Sequence, residues 1–170
     1  LLKAEAYAEH FGLPALADDS GLEVDALAGA PGVRSSRYAG EDASDAENNA
    51  RLLAELSARS EGPWPARFRC VVTLVGVANA PVIAQGTCEG RILQATRGTG
   101  GFGYDPLFVP EGFDRTFAEM SSEEKHRLSH RGDALRKARR AWSRILDEGT
   151  VEPVGIGRRA FGVRSGPAVD

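Results

Sequence analysis

The sequence predicts an α/β fold built on a mixed central β-sheet, and three observations predict it. Strand-like and helix-like segments alternate irregularly along the chain. Residues 66–78 and 82–93, joined by Ala78-Asn79-Ala80-Pro81, read as an antiparallel hairpin rich in Val, Phe, Thr and Leu. Ser44-Asp45-Ala46-Glu47 and Ser121-Ser122-Glu123-Glu124 are capping boxes, in which a serine caps the free amides of a helix start and a glutamate reaches back. With 170 residues, 42% of them hydrophobic, the chain can bury a core of ordinary domain size.

Each element follows in order. Leu1 to Phe11 reads as the end of a helix stopped by Gly12. Pro14 to Val24 reads as strand, acidic turn, strand, with Asp18 and Asp19 at the corner. Pro31 to Gly40 is a loop or short helix. The helix capped by Ser44 runs to about Ala58 with Ala46, Ala50, Leu53 and Leu56 on one face. Gly62-Pro63-Trp64-Pro65 breaks the chain ahead of the hairpin. Val71, Val72, Leu74 and Val75 are apolar on both faces, which places the first hairpin strand centrally in the sheet. Gly98 to Pro106 is a glycine-rich loop, and Leu107-Phe108-Val109 a short buried strand. A short helix opens at Ser121 and runs through Arg127. Ser129 caps a last helix with the stripe Leu135, Ala138, Trp142 and Ile145. Residues 150–170 show no period and read as an irregular tail after a domain spanning 1–149.

Composition excludes some classes. A net charge of -3 argues against a general nucleic-acid binder. Residues 121–147 nevertheless carry eight Lys or Arg against four Asp or Glu, either a solvated helix face or a basic wall toward an anion. Cys70 and Cys88 fit neither zinc spacing nor a redox pair. They read as buried thiols in a reducing compartment, although the hairpin brings them near enough to leave a bond open. No apolar run approaches the roughly 20 residues of a membrane span, and no signal-peptide pattern is present. The opening Leu1-Leu2-Lys3 lies inside a helical pattern, as in a fragment.

Four groups carry chemistry. Asp18 and Asp19 precede Ser20-Gly21. Paired carboxylates there suit a hard divalent cation held against phosphate oxygens, with Asp19 on metal and water and Asp18 in support; the plain alternative is an Asx turn. Ser20 and Gly21 offer a hydroxyl and backbone N–H groups to a phosphate. The loop Gly98-Thr99-Gly100-Gly101-Phe102-Gly103-Tyr104-Asp105-Pro106 is neither a Walker A loop nor a dinucleotide fingerprint. Its glycines let backbone approach a ligand, and a base stacked on Phe102 gains about 1–3 kcal/mol; otherwise Phe102 is a core ring below a flexible turn. Ser129-His130-Arg131 puts cations into a first helical turn, against the dipole at about 0.3–1 kcal/mol each. Donors converging on a carbonyl-rich base or a phosphate, with Lys125 aimed the same way, supply the compensating gain; pairing with Asp133 or Glu124 is the alternative. Lys3, in the opening helix beside the acidic residues, is either a polyphosphate contact or a surface lysine.

In this order, these residues resemble the inosine/xanthosine triphosphate pyrophosphatase family. The resemblance rests on Leu13 to Asp25, Ala30 to Gly40, Gly100 to Phe108, Glu124-Lys125 and Ser129-His130-Arg131-Gly132, and spans Leu1 to about Leu146. It implies a central sheet flanked by helices, two lobes with an active-site cleft between them, a homodimer and a Mg²⁺ requirement, and the thiols in a reducing compartment add the expectation of a cytoplasmic protein. Residue by residue, it implies that Asp19 is the metal-linked general base and Ser20 a substrate contact. Phe102, Gly103, Tyr104 and Asp105 form the base pocket, Lys125, His130 and Arg131 read the purine, and Lys3 contacts phosphate. The implied reaction cleaves ITP, dITP or XTP to the monophosphate and pyrophosphate. The family's opening strand, its Ser/Thr-x-Asn-x-x-Lys phosphate loop and an acidic metal ligand have no counterpart in these residues. That motivates a second reading, nucleotide binding without catalysis. A third, an interaction module using the basic last helix, rests on charge alone.

Overall fold

The computed structural model describes residues 1–78 and 80–147; the expected tail over 150–170 lies outside them. Helix α1 (Leu2–Phe11) ends where Gly12 turns left-handed at φ 65° and its N–H closes on the Ala8 carbonyl at 2.9 Å. Strand β1 (Ala15–Val24) follows, then the two-residue β2 (Pro31–Gly32). Helix α2 (Asp45–Ser57) starts at the expected box: Ser44 Oγ accepts from the Glu47 amide, and the Glu47 carboxylate accepts from the Ser44 amide at 2.7 Å. Strands β3 (Trp64–Val75) and β4 (Val82–Ile92) form the hairpin, with β5 (Phe108–Pro110) beyond. Helix α3 (Ser122–Leu128) carries the second capping box. Ser129 Oγ accepts from the Gly132 amide at 3.1 Å to cap α4 (His130–Asp147).

The central sheet has the order β2-β1-β3-β4-β5, and its four pairings are all antiparallel. As expected, β3 is central. The acidic corner is corrected. Asp18 and Asp19 lie inside one continuous strand, in unbroken register with β3 from Ala15 opposite Val75 to Val24 opposite Ala66. The turn-like composition had another cause: a Cβ on Gly21 would collide with the Gly32 carbonyl, so glycine lets β2 close on β1. Because strand side chains alternate, the adjacent acids leave on opposite faces.

Three apolar clusters hold the layers. Leu22, Val24, Trp64, Phe68, Phe108 and Phe117 are the largest part of the main core. On the same sheet face α4 packs Ala134 and Ala138 onto Cys70, Val72 and Ala84, and α1 packs Ala4 and Ala8 onto the other face at Val75. The buried side of α2 is Asn48, Asn49, Leu52 and Leu56, so the expected stripe is rotated; Ala46 and Ala50 face solvent. Two buried amides replace alanines because, as shown below, their hydrogen bonds hold loops. Cys70 and Cys88 are buried and free. Burial pushes the Cys88 thiol up to about 12 and raises that of Cys70.

The seat of α4 is a glycine on β4. A Cβ on Gly86 would meet the carbonyl oxygen of His130 and the amide nitrogen of Ala134, both backbone atoms that cannot step aside alone. Gly86→Ala should therefore lower unfolding free energy by about 1–3 kcal/mol through overpacking, seen as a fall in urea midpoint. An unchanged midpoint would mean that α4 is not seated as described.

Candidate active site

One cavity of about 630 Å³ opens between the β1 end of the sheet, the 98–106 loop and the α3–α4 junction. Lys3, Asp18, Asp19, Ser20, Phe102, Gly103, Tyr104, Asp105, Lys125, His130 and Arg131 all border it. Every site residue singled out in the sequence thus meets at one opening. They come from α1, β1, a loop, α3 and α4.

On β1 the two carboxylates have different company. Asp18 Oδ2 accepts from Arg131 Nε at 2.8 Å, joining the strand to the first turn of α4. Asp19 is exposed and has no ion pair or side-chain hydrogen bond among the described residues. Both reach the cavity because β2 covers the outer edge of β1 only at Leu22 and Glu23. Ser20 Oγ is buried without a hydrogen-bond partner among the described residues, an unmet polar group in the cavity wall.

The loop residues divide by role. The Phe102 ring is 63% exposed, which removes the core-ring alternative. Tyr104 and Asp105 are buried beneath it. Tyr104 donates its hydroxyl to the Ser35 carbonyl at 2.9 Å. The Asp105 carboxylate accepts from the Phe102 amide at 2.8 Å and pairs with Lys125. Lys125 Nζ also lies 4.3 Å from the Phe102 ring centroid, a cation–π contact. The glycines were expected to approach a ligand. Gly101 and Gly103 border the cavity, whereas Gly98 and Gly100 pack on the backbone of Ala118, and Gly101 also packs on the Asp105 carboxylate.

His130 departs from the expected cation. Its imidazole is 8% exposed and stacks on Phe68, centroids 4.8 Å apart. Burial, then the charges of Arg131 and Lys125, lower its pKa to about 4. It is neutral at pH 7 and does not oppose the helix dipole. Its Nδ1 has no partner among the described residues. The alternative pairings for the Ser129-His130-Arg131 group are taken by others: Asp133 binds Lys137 at 2.7 Å and Glu124 binds Arg115 at 2.8 Å.

The sequence reading missed Asp45, Asn48 and Asn49 on α2. Asn48 Oδ1 accepts from the Ala39 amide at 2.8 Å, and its Nδ2 donates to the Ser36 carbonyl at 3.2 Å. Asp45 and Asn49 hold Gly103. The available signal was the tandem Asn48-Asn49, two amides at the spacing of Leu52 and Leu56 on a helix face that calls for aliphatics. Phe68, read only as a strand residue, and Phe117, not singled out, also line the cavity.

The model of the Ham1 family matches residues 1–141. A dITP/XTP pyrophosphatase of Desulforamulus reducens is 52% identical over 143 residues, covering 84% of this chain and 71% of that protein. A dITP/XTP pyrophosphatase of Syntrophobacter fumaroxidans is 54% identical over 144 residues, and the chain spans 61% of its length. Among solved structures, a HAM1 protein from Coxiella burnetii superposes with a TM-score of 0.79 at 46% identity, covering 84% of this chain and 74% of that one. A match over most of the chain, with about half the residues identical and the same fold, makes this chain a member of the Ham1 family, which is classed at family level as nucleoside-triphosphate pyrophosphatase.

Proposed function

We propose that the chain hydrolyses the non-standard purine nucleoside triphosphates ITP, dITP and XTP to the monophosphate and pyrophosphate, with Mg²⁺. The observation that carries this reading is the shared cavity, which gathers an unpaired carboxylate, an exposed aromatic ring and cationic donors from five separate elements. The names of the relatives support the substrate class.

Each residue takes a part. Phe102 is the platform for the base. Lys125 and Arg131 offer donors to a keto group at purine position 6; adenine presents an amino donor there and would leave them unpaired, at a cost. Neutral His130 adds an uncommitted ring nitrogen. Lys3 and the Ser20 hydroxyl suit phosphate oxygens. Asp18 neutralises and orients Arg131. Asp19 accepts the proton of the attacking water as the bond between the α- and β-phosphates breaks and pyrophosphate leaves. Its free carboxylate is also the group that fits Mg²⁺, which binds through one or two carboxylates plus substrate phosphates. When bound, the ion makes water more acidic and screens phosphate charge.

The second reading is binding without turnover, in which the same cavity holds the nucleotide but Asp19 moves no proton. The family resemblance supports a homodimer, and the free buried thiols fit a reducing compartment such as the cytoplasm. Among the described residues no helix is long and apolar enough to cross a membrane.

Incubation with ITP and Mg²⁺ should release pyrophosphate, and ATP should be a far poorer substrate. Equal release from ATP rejects the specificity; calorimetric binding of ITP without release selects the second reading. Asp19→Asn should lower kcat by about 10²–10⁴-fold, the usual weight of a general base, with ITP affinity largely kept. Phe102→Ala should instead weaken ITP binding by about 1–3 kcal/mol, and an unchanged Kd removes the stacking role.

The neutral His130 has an acid cost. Its folded pKa, about 4, lies below the unfolded value of 6.5. The unfolded chain therefore takes up the proton first, and stability present above pH 6.5 is lost as pH falls toward 4. His130→Gln should reduce the loss of urea midpoint between pH 7 and pH 5. An identical loss in both proteins would place the acid sensitivity elsewhere.

A further inference from the structure

Two residues one turn apart at the start of α2 hold Gly103 at both of its backbone poles. Asp45 Oδ2 accepts from the Gly103 amide at 2.6 Å, and Asn49 Nδ2 donates to the Gly103 carbonyl at 2.9 Å. Asn49 Nδ2 also donates to the Asp45 backbone carbonyl at 2.8 Å, so one side-chain amide bridges the Asp45 and Gly103 carbonyls. Gly103 has φ 60°, and a Cβ built on it meets nothing within 4 Å. Glycine is there for its left-handed backbone, which it adopts without steric cost but does not by itself hold fixed. The residue before it is the exposed Phe102 and the residue after it the buried Tyr104, whose hydroxyl reaches the other loop that Asn48 holds. Asn49 is itself buried; its Nδ2 makes the bonds to the Asp45 and Gly103 carbonyls, while its Oδ1 has no partner among the described residues, so the donor end is what offsets the desolvation.

We propose that Asp45 and Asn49 are positioning residues for the purine platform: by clamping Gly103 from both sides they fix where the Phe102 ring stands in the cleft. The inference rests on reading Phe102 as the surface on which the base stacks. Neither residue takes part in proton transfer. Their effect passes through one peptide unit to the ring, so it falls on substrate affinity.

The test uses the full chain carrying Asp45→Ala, Asp45→Asn or Asn49→Ala, with two readouts. Hydrogen exchange on the ligand-free protein should show the 98–106 loop opening about tenfold faster in Asp45→Ala and Asn49→Ala, the scale of one charge-assisted hydrogen bond. Asp45→Asn keeps an acceptor oxygen for the Gly103 amide and should recover most of the protection. With ITP, Asp45→Ala should raise KM about tenfold, kcat should stay within about twofold, and Asp45→Asn should rescue KM. In a Phe102→Ala background, Asp45→Ala should raise KM no further. Unchanged exchange in both alanine variants overturns the clamp, whether or not ITP is a substrate. Effects of Asp45→Ala and Phe102→Ala that simply add, or a loss confined to kcat, overturn the link to the ring. If the unsubstituted chain neither binds nor cleaves ITP, the substrate reading fails by itself and the exchange result decides the clamp. Asn49→Ala carries the test should Asp45→Ala not fold.

Discussion

A carboxylate buried to 2% exposure is tolerable only if its charge is answered on the spot, and the cleft is organised around one such group, Asp105. Its side chain takes the Phe102 amide and the Lys125 ammonium, and its carbonyl accepts from the Ala118 amide at 3.2 Å. Three separate pieces of chain, the glycine-rich loop, the turn at Phe117–Glu119 and helix α3, are thereby tied to one residue. The exposed Phe102 ring could not keep one orientation by packing, because most of its surface has nothing to pack on. It is held from below by this charge and from the side by α2. Lys125 gains twice, since the contact that answers Asp105 also sets its ammonium over an aromatic face. On the proposed function, a flat base that stacks on Phe102 arrives beside a donor already partly stripped of water.

The opposite wall of the cleft depends on how α4 meets the sheet. Gly86 lets the first turn of α4 lie against the β4 backbone, which puts His130 over Phe68 and Arg131 within reach of Asp18. Phe68 in turn contacts Phe108 and Phe117, with centroids 4.7 and 6.1 Å away. An aromatic column therefore runs from the main core to the cavity wall, and His130 is its last ring. That packing is what removes water from the imidazole and keeps it neutral. The core and the site are in this sense one structure: the rings of the main core also wall in a cleft residue.

Much of this was legible in the chain. Serine–glutamate boxes gave two helix starts because capping is local chemistry, and the hairpin was readable because apolar patterning and a turn coincide there. The site residues were legible as types, but not as partners. Nothing local tells that Arg131 will find Asp18 across the sheet, or that Lys125 will find Asp105 rather than remain free. The strand β1 was misread because Asp-Asp-Ser-Gly has turn composition, while ten consecutive pairings with β3 override that preference. The face of α2 was misread because alanine counts as apolar and asparagine does not. Which side turns inward was decided by loop carbonyls and amides that needed Asn48 and Asn49, a demand that exists only once the loops are in place. His130 was misread as charged because its environment is made by Phe68, sixty-two residues away.

The extended form of β1 has its own consequence. In a turn, two adjacent acids share one small volume and repel, so that one is pushed toward its protonated form. In a strand their side chains leave on opposite faces and meet different surroundings at a fixed spacing. Asp18 finds Arg131, and a carboxylate already engaged by a guanidinium has less to offer a second cation. Asp19 has no such partner among the described residues, and its oxygens stay open to whatever enters the cleft. Two identical side chains, one peptide bond apart in sequence, are thus given different surroundings by the pleat: one holds α4 to the sheet, and the other is left open to the cleft. The strand reading therefore gives the adjacent acids a clearer division of labour than the turn reading did.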